Sequence, residues 1–375
     1  MAGIYIHIPF CKQACYYCDF HFSTSLRNKE SMLSAIKREL ILRKNEFKES
    51  IETIYFGGGT PSLLNSLEID SIIDLIRMHF QVTENPEITL EANPDDLSKE
   101  KLEELSKTPV NRLSIGVQSF FDEDLRYMNR AHNSKQAIDS MEHASKWFEN
   151  ISMDLIYGMP TLNEKRWEEN LQFTFDFNVN HISSYALTVE PRTALDHFIR
   201  KGTYKAPSEK KAESHFKILQ QLTKAEEFIQ YEISNFGKKG YFSRHNTSYW
   251  KGLKYLGIGP SAHSFDGTRR SWNVSNNAKY LKSLEKDELS IEVEYLTVED
   301  RINEMIMTGI RTIWGISIVD IVTEFGQDYK EQLMKQAQKH LQSGILYLRE
   351  EQLVLRPEKY FLADGIASDM FLIKV

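Results

Sequence analysis

The stretch Ile4-Tyr5-Ile6-His7-Ile8-Pro9-Phe10-Cys11-Lys12-Gln13-Ala14-Cys15-Tyr16-Tyr17-Cys18 carries both the first structural element and the first chemistry of the chain. Its opening residues form a brief apolar run closed by proline, which predicts a buried strand, Ile4–Ile8. Its second half places three thiols on the loop that follows. The same form recurs downstream. Thr53–Phe56, Ile88–Glu91, Arg112–Val117, Ile151–Tyr157, His181–Leu187 and Phe228–Ile233 are short, rich in Ile, Val, Tyr and Leu, and bounded by Gly, Pro or Asn. Between them Lys29–Phe47, Ser66–Phe80, Lys99–Lys107, Ser134–Phe148, Glu164–Phe177 and Ser208–Ala225 repeat apolar residues at spacings of three and four, as amphipathic helices do. Alternation of this kind predicts parallel βα units in an α/β fold. A partial TIM-like (β/α)6 barrel fits best, with functional side chains where strands pass into loops. A doubly wound open sheet is the alternative.

Beyond residue 234 the alternation stops, and residues 1–234 and 235–375 are expected to be separate units. Asn235–Asn277 is rich in Gly, Ser, His and aromatics without a clear period, and reads as an irregular functional segment. Lys279–Glu285, Val298–Gly309, Ile316–Glu324 and Lys330–Gln342 then read as helices, followed by strands Ile345–Arg349 and Leu353–Arg356. Helices followed by a hairpin predict a small, winged-helix-like C-terminal domain.

The chain has 375 residues, 41% hydrophobic and 26% charged, with 46 Lys+Arg against 53 Asp+Glu and a net charge of −7. That balance disfavours a nucleic-acid partner held by phosphate neutralisation. No window approaches the roughly 18 uninterrupted apolar residues of a membrane span. The first residues read as a strand instead of a signal peptide, so the expected location is the cytoplasm.

All 3 cysteines lie in the C-x3-C-x2-C run Cys11, Cys15, Cys18, a poor disulfide framework but a compact metal-binding loop. Soft thiolates select zinc, copper(I) or iron–sulfur clusters. A structural zinc would need a fourth ligand, His7 or His21. A 4Fe-4S cluster held by three thiolates would instead leave one iron open to a small molecule. At the second strand end stands Tyr55-Phe56-Gly57-Gly58-Gly59-Thr60-Pro61, where glycine lets backbone approach a ligand closely; the plain alternative is a tight βα turn. Glu91, Gln118, Arg130 and Asp154 fall at or near later strand ends, and each alone could be a solvated loop residue.

These motifs together resemble the radical SAM superfamily, in its coproporphyrinogen-oxidase-like branch, over nearly the whole chain. The resemblance implies a 4Fe-4S cluster on Cys11, Cys15 and Cys18, with S-adenosyl-L-methionine chelating the open iron. By it Tyr5, Gly58, Gly59, Thr60, Glu91, Gln118, Arg130 and Asp154 contact that cofactor, and Tyr17 packs on its adenine. Two departures separate the chain from the oxidases of the branch. Phe20 stands where they carry a fourth cysteine of a C-x3-C-x2-C-x-C motif, and the chain opens directly on its first strand without their N-terminal arm. A positive mark is His245-Asn246-Thr247-Ser248-Tyr249-Trp250, which resembles the haem-binding H-N-x-x-Y-W run of haem chaperones in this branch. It implies His245 as haem ligand, among flat aromatic surfaces, with Arg244, Lys251 and Lys254 near for propionates. His263 is a second candidate, and His7 and His21 read as packing residues beside the cluster. The expected function is therefore haem binding and delivery to client haemoproteins, membrane respiratory enzymes among them, with transient membrane association and a possible homodimer. Radical oxidative decarboxylation of coproporphyrinogen III is the alternative, and a methyl-transferring relative a third reading.

Overall fold

Isoleucines 4, 6 and 8 are fully shielded from solvent, and the strand that carries them, β1 (Ala2–Ile8), lies in the middle of the main sheet. The structure is a computed structural model and describes residues 2–372. The chain then runs α1 (Lys29–Leu42), β2 (Ile51–Gly58), α2 (Ser66–His79), β3 (Val82–Ala92), α3 (Lys99–Leu105), β4 (Arg112–Gln118), α4 (Asp122–Tyr127), α5 (Ser134–Ala144), β5 (Ile151–Tyr157), α6 (Glu164–Asp176) and β6 (His181–Ala186). The six strands pair in parallel in chain order, with Tyr5 beside Tyr55 and Thr89 beside Arg112. A doubly wound sheet would reverse that order at a switch point; a monotonic order curls into a partial barrel.

The covering helices follow from spacing and caps. In α2, Ile69, Ile72, Ile73 and Ile76 are buried at intervals of three and one, while Asn65 and Glu68 close a reciprocal capping box at its start. Burying those four side chains contributes on the order of 6–12 kcal/mol before the entropy of ordering them is counted.

After β6 come α7 (Ala194–Arg200), α8 (Glu209–Ala225), β7 (Ile229–Glu232), β8 (Asn235–Gly237), α9 (Arg244–Trp250), β9 (Lys254–Ile258), β10 (His263–Phe265), β11 (Arg269–Asn273), α10 (Asn277–Leu284) and β12 (Ile291–Tyr295). Here two expectations change. The strand anticipated at Phe228–Ile233 does not extend the parallel set: β7 folds back on β8, which lies antiparallel beside β6. The segment anticipated as irregular, Asn235–Asn277, is ordered, and β9 pairs in parallel with β1, with Tyr5 opposite Gly257. Its strands are too short for a period to show. The full sheet has twelve strands in the order β12-β11-β10-β9-β1-β2-β3-β4-β5-β6-β8-β7 and is not closed. Strand pairing thus continues past residue 234.

A buried charge network fixes β9 and β11 to the barrel. Arg43 on α1 donates to Glu39 (3.0 Å) and to the Gly257 carbonyl (2.8 Å). Glu39 in turn accepts from Gly259 N (2.8 Å), Asn273 Nδ2 (2.8 Å) and the Tyr280 hydroxyl (2.6 Å). Every partner is satisfied, the condition under which buried charge is tolerated. The chain ends with α11 (Val298–Ile310), β13 (Ile316–Ser317), α12 (Ile318–Phe325), α13 (Gln327–Gln342), β14 (Leu346–Arg349), β15 (Gln352–Leu355) and α14 (Ala363–Asp369). Its three strands form a separate small sheet, ordered β13-β15-β14, against the helices, in the winged-helix-like arrangement anticipated.

Candidate functional site

Cys11, Cys15 and Cys18 are half-buried on the loop leaving β1. That loop is pinned by backbone bonds from Cys11 N to Ser23 O (3.0 Å) and from Tyr16 N to Met128 O (3.0 Å). Asn129 reinforces it: its side chain donates to Ala14 O (2.8 Å) and its carbonyl accepts from Gln13 (2.9 Å). Asn129 has φ 56°, a conformation asparagine tolerates better than most residues. The glycine turn after β2 lies against the same loop, through Gly59 N to Ile8 O (2.9 Å) and Thr60 N to Phe10 O (2.6 Å). A Cβ on Gly59 would stand 2.5 Å from Phe10 O and 2.7 Å from Ile8 O, so the two loops can touch only because position 59 has none. Gly58, at φ +103°, is packed over the His7 ring.

Glu91 accepts from the Tyr55 hydroxyl (2.8 Å) and from Gly58 N (3.2 Å), which joins the end of β3 to the glycine turn. Desolvation raises its pKa to about 7 against the pull of the Tyr55 bond. Asp154, three residues inside the end of β5, accepts from Ser114 (3.1 Å) and Ser152 (3.3 Å), and burial lifts it to about 6. Arg130 gathers the far side. Its Nη2 donates to Asn93 Oδ1 (2.6 Å) and Gly116 O (2.8 Å), and its Nη1 to Cys15 Sγ and the Tyr17 hydroxyl, both at 3.4 Å. Its buried Nε has no partner among the described residues. Gln118 ends β4 at φ 66°, with its amide nitrogen 2.8 Å from where a Gly116 Cβ would sit. Tyr5 faces its strand neighbour Tyr55, ring centroids 6.1 Å apart. The fold thus brings Tyr5, Tyr17, Gly58, Gly59, Thr60, Glu91, Gln118 and Arg130 around the thiol loop, with Asp154 deeper in the barrel. Asn93 completes the set by donating to Thr60 Oγ1 (3.2 Å) while receiving Arg130. It sits in the quoted run Glu91-Ala92-Asn93-Pro94, and an amide with both a donor and an acceptor was the available signal.

These residues fit a cluster with an amino-acid-bearing ligand. The donors are three soft thiolates, the buried Arg130 Nε beside them has no partner among the described residues, and the glycine turn leaves a cradle that side chains would fill. Burial pushes the Cys18 thiol up to about 12 and raises Cys11, an effect that a bound cation reverses outright. Among the described residues no three His, Cys, Asp or Glu side chains converge as a single metal ion requires; a cubane instead asks one thiolate of each of three irons.

Beside this loop opens a cavity of about 1210 Å³, larger than most small-molecule sites (about 300–1,000 Å³). Tyr5, Phe20, Tyr249, Trp250, Tyr255 and Trp314 give it aromatic walls, and α11 closes one side. Of the three cations anticipated for propionates, Lys251 lines it, stacked 4.6 Å from the Trp314 ring centre, with Arg349 also on the wall. Arg244 and Lys254 are engaged elsewhere, with Glu52 (3.5 Å) and Glu49 (2.6 Å).

His245 lies behind that wall. It is 1% exposed, its Nδ1 is 2.7 Å from Thr53 Oγ1 and its Nε2 is 2.8 Å from the Tyr249 hydroxyl. Its ring stacks on Tyr55 at 4.9 Å, and burial lowers its pKa to about 3. The buried Glu87 holds it there, accepting Arg244 N and His245 N at 2.9 Å each at the start of α9. His7 is engaged at both ring nitrogens, by Tyr5 (3.2 Å) and His21 O (2.9 Å), and His21 Nε2 meets Asn277 (2.7 Å). Among the described residues no helix is long and apolar enough to cross a membrane.

Comparison with known proteins bears on both halves. Residues 5–174 match the model of the radical SAM superfamily and residues 296–362 that of the HemN C-terminal domain. Curated relatives include the heme chaperone HemW of Bacillus subtilis, 32% identical over 98% of this chain and 98% of that protein, and that of Lactococcus lactis, 30% identical over 98% and 97%. HemW of Mycobacterium tuberculosis is 30% identical over 98% of this chain and 94% of its own. Among solved structures, the coproporphyrinogen III oxidase HemN of Escherichia coli superposes with a TM-score of 0.84 at 21% identity, covering 99% of this chain and 90% of that one, a likeness of fold.

Proposed function

The chain belongs to the HemW family of radical SAM proteins, and on that footing we propose that it is a haem chaperone, binding haem and passing it to client haemoproteins. In this reading Cys11, Cys15 and Cys18 hold a 4Fe-4S cluster. Tyr5, Gly58, Gly59, Thr60, Glu91, Gln118, Arg130 and Asp154 hold S-adenosyl-L-methionine, with Tyr17 on its adenine. When bound, the cluster and that cofactor supply one-electron chemistry; the residues around them orient the ligand and exclude water. Haem occupies the 1210 Å³ cavity, its rings against Tyr249, Trp250 and Trp314 and its propionates toward Lys251 and Arg349. His245 ligates iron once Tyr249 gives up its 2.8 Å bond to Nε2. The protein works from the cytoplasm, as a homodimer once the cluster is loaded, and meets membrane respiratory enzymes through transient contact with the membrane.

The observation that carries this reading is the position of that cavity, walled by the H-N-x-x-Y-W aromatics and adjoining the thiol loop. The test is an anaerobic titration of reconstituted protein with haem, followed at the Soret band, beside an assay for decarboxylation of coproporphyrinogen III. Saturable haem binding without turnover is expected. Turnover without haem binding would assign the chain to the decarboxylase reading instead.

A further inference from the structure

On β10, side chains alternate. Ser264 turns inward, donating toward Gly257 O (3.5 Å) and meeting Arg43 (3.1 Å), while His263 and Phe265 share the opposite face and both line the cavity. Tyr255 and Arg270, their neighbours on β9 and β11, line it too. The His263 ring stacks on Trp272, centroids 5.8 Å apart, and among the described residues neither of its nitrogens has a hydrogen-bond partner. The residue is exposed. Its backbone is nevertheless fixed: the turn before it begins at Gly259, φ +103°, whose N–H is held by the buried Glu39, and closes through Ala262 N to Gly259 O (3.2 Å). Partial desolvation of the ring, which is only in part open to solvent, and the nearby Arg270 charge lower the imidazole's pKa from its ordinary value.

The histidines around it are differently placed. His245 spends both nitrogens on Thr53 and Tyr249 and lies behind the wall, and His7 spends both on Tyr5 and His21. His21 has its Nε2 on Asn277, and among the described residues its other nitrogen has no hydrogen-bond partner.

We infer that His263 is an axial ligand of the haem iron in the arrangement seen here, in which Tyr249 still holds His245. The inference rests on the haem-binding reading of the cavity and deepens it: a neutral imidazole on a rigid strand offers iron a contact that requires no rearrangement. His245 would then be reached only by the further movement of Tyr249.

The test uses the full chain, cluster-loaded and anaerobic, titrated with haem and, separately, with metal-free protoporphyrin IX. His263→Ala and His263→Gln are compared with His21→Ala and the wild type, and circular dichroism confirms that the variants fold. The expected result is a shifted Soret band and a loss of haem affinity on the order of tenfold or more, the scale that even an outer-shell change costs a metal site. Protoporphyrin binding should be unchanged, and added imidazole should restore the wild-type Soret band to His263→Ala. An unshifted Soret band in both His263 variants, equal losses for haem and protoporphyrin, or the loss appearing in His21→Ala instead, would each overturn the assignment. A wild type that binds no haem at all would overturn the haem reading itself, and is distinguishable because the variants then have nothing to lose.

Discussion

Replacing Gly59 by alanine tests whether the glycine turn and the thiol loop are held as one unit. The new Cβ would meet Phe10 O at 2.5 Å, Ile8 O at 2.7 Å and Phe10 N at 2.8 Å, all backbone atoms that no rotamer change can clear. To reach ordinary contact the two loops must part by roughly 0.9 Å, which stretches the bonds from Gly59 N to Ile8 O and from Thr60 N to Phe10 O. Losing two backbone hydrogen bonds costs about 1 kcal/mol each and the residual crowding about 1–2 more, so destabilisation of about 3–4 kcal/mol is expected. Because Cys11 follows Phe10 directly, the cysteine moves with the loop and affinity for S-adenosyl-L-methionine should fall as well. Urea unfolding and calorimetric titration of the reconstituted protein measure the two effects. Gly365→Ala is the control: it lies inside α14, a Cβ there meets nothing within 4 Å, and it should be neutral or stabilising by up to about 1 kcal/mol. If Gly59→Ala matched Gly365→Ala in stability and bound the cofactor like wild type, the coupling argued from these distances would be wrong.

Glu87→Gln should destabilise by about 1–2 kcal/mol, because an amide oxygen replaces a carboxylate that accepts both Arg244 N and His245 N; thermal unfolding reads it. Tyr249→Phe removes the partner of His245 Nε2 and should cost about 1 kcal/mol in urea unfolding, with a Soret band that moves if the freed nitrogen then meets iron. His132 is buried, and burial followed by the Arg130 charge lowers it to about 4 from 6.5. Its folded pKa lies below the unfolded value, so the unfolded chain binds the extra proton; the stability tied to the neutral ring is full above pH 6.5 and is lost as pH falls toward 4. At pH 5 that amounts to about 2 kcal/mol. His132→Gln should flatten the acid limb of a stability–pH profile by about that amount, and an unchanged slope would contradict the assigned cause.

The six parallel strands were legible because each is a run of buried apolar residues interrupted by helices long enough to show a period. β9 was not, since five residues with a glycine carry no period and its partner β1 lies far away in sequence. The thiol loop and glycine turn could be read from residue type and spacing, which reach only local neighbours. Glu87 could not be, because in Pro86-Glu87-Ile88 it looks like any solvated carboxylate; only the fold brings the start of α9 onto it. The same holds for His245. Its motif pointed to an aromatic pocket, but which ring forms the wall and which lies behind it depends on how α9 is rotated over β1 and β2, and that is decided by Glu87 and Thr53.

The pairing of β9 with β1 also has a consequence for biosynthesis. β1 gains its first partner when Ile51–Gly58 is made, but its other edge stays bare until Lys254–Ile258 has left the ribosome, about 200 residues later. At translation rates of about 5–20 residues per second this is on the order of 10–40 s. Throughout that interval the nascent chain carries an unpaired apolar strand edge directly before three free thiols, the kind of edge that recruits other chains. The thiol loop is therefore among the first segments synthesised, while the strand edge before it is among the last to be covered, so a cluster held there, as proposed, would best be delivered at the end of translation.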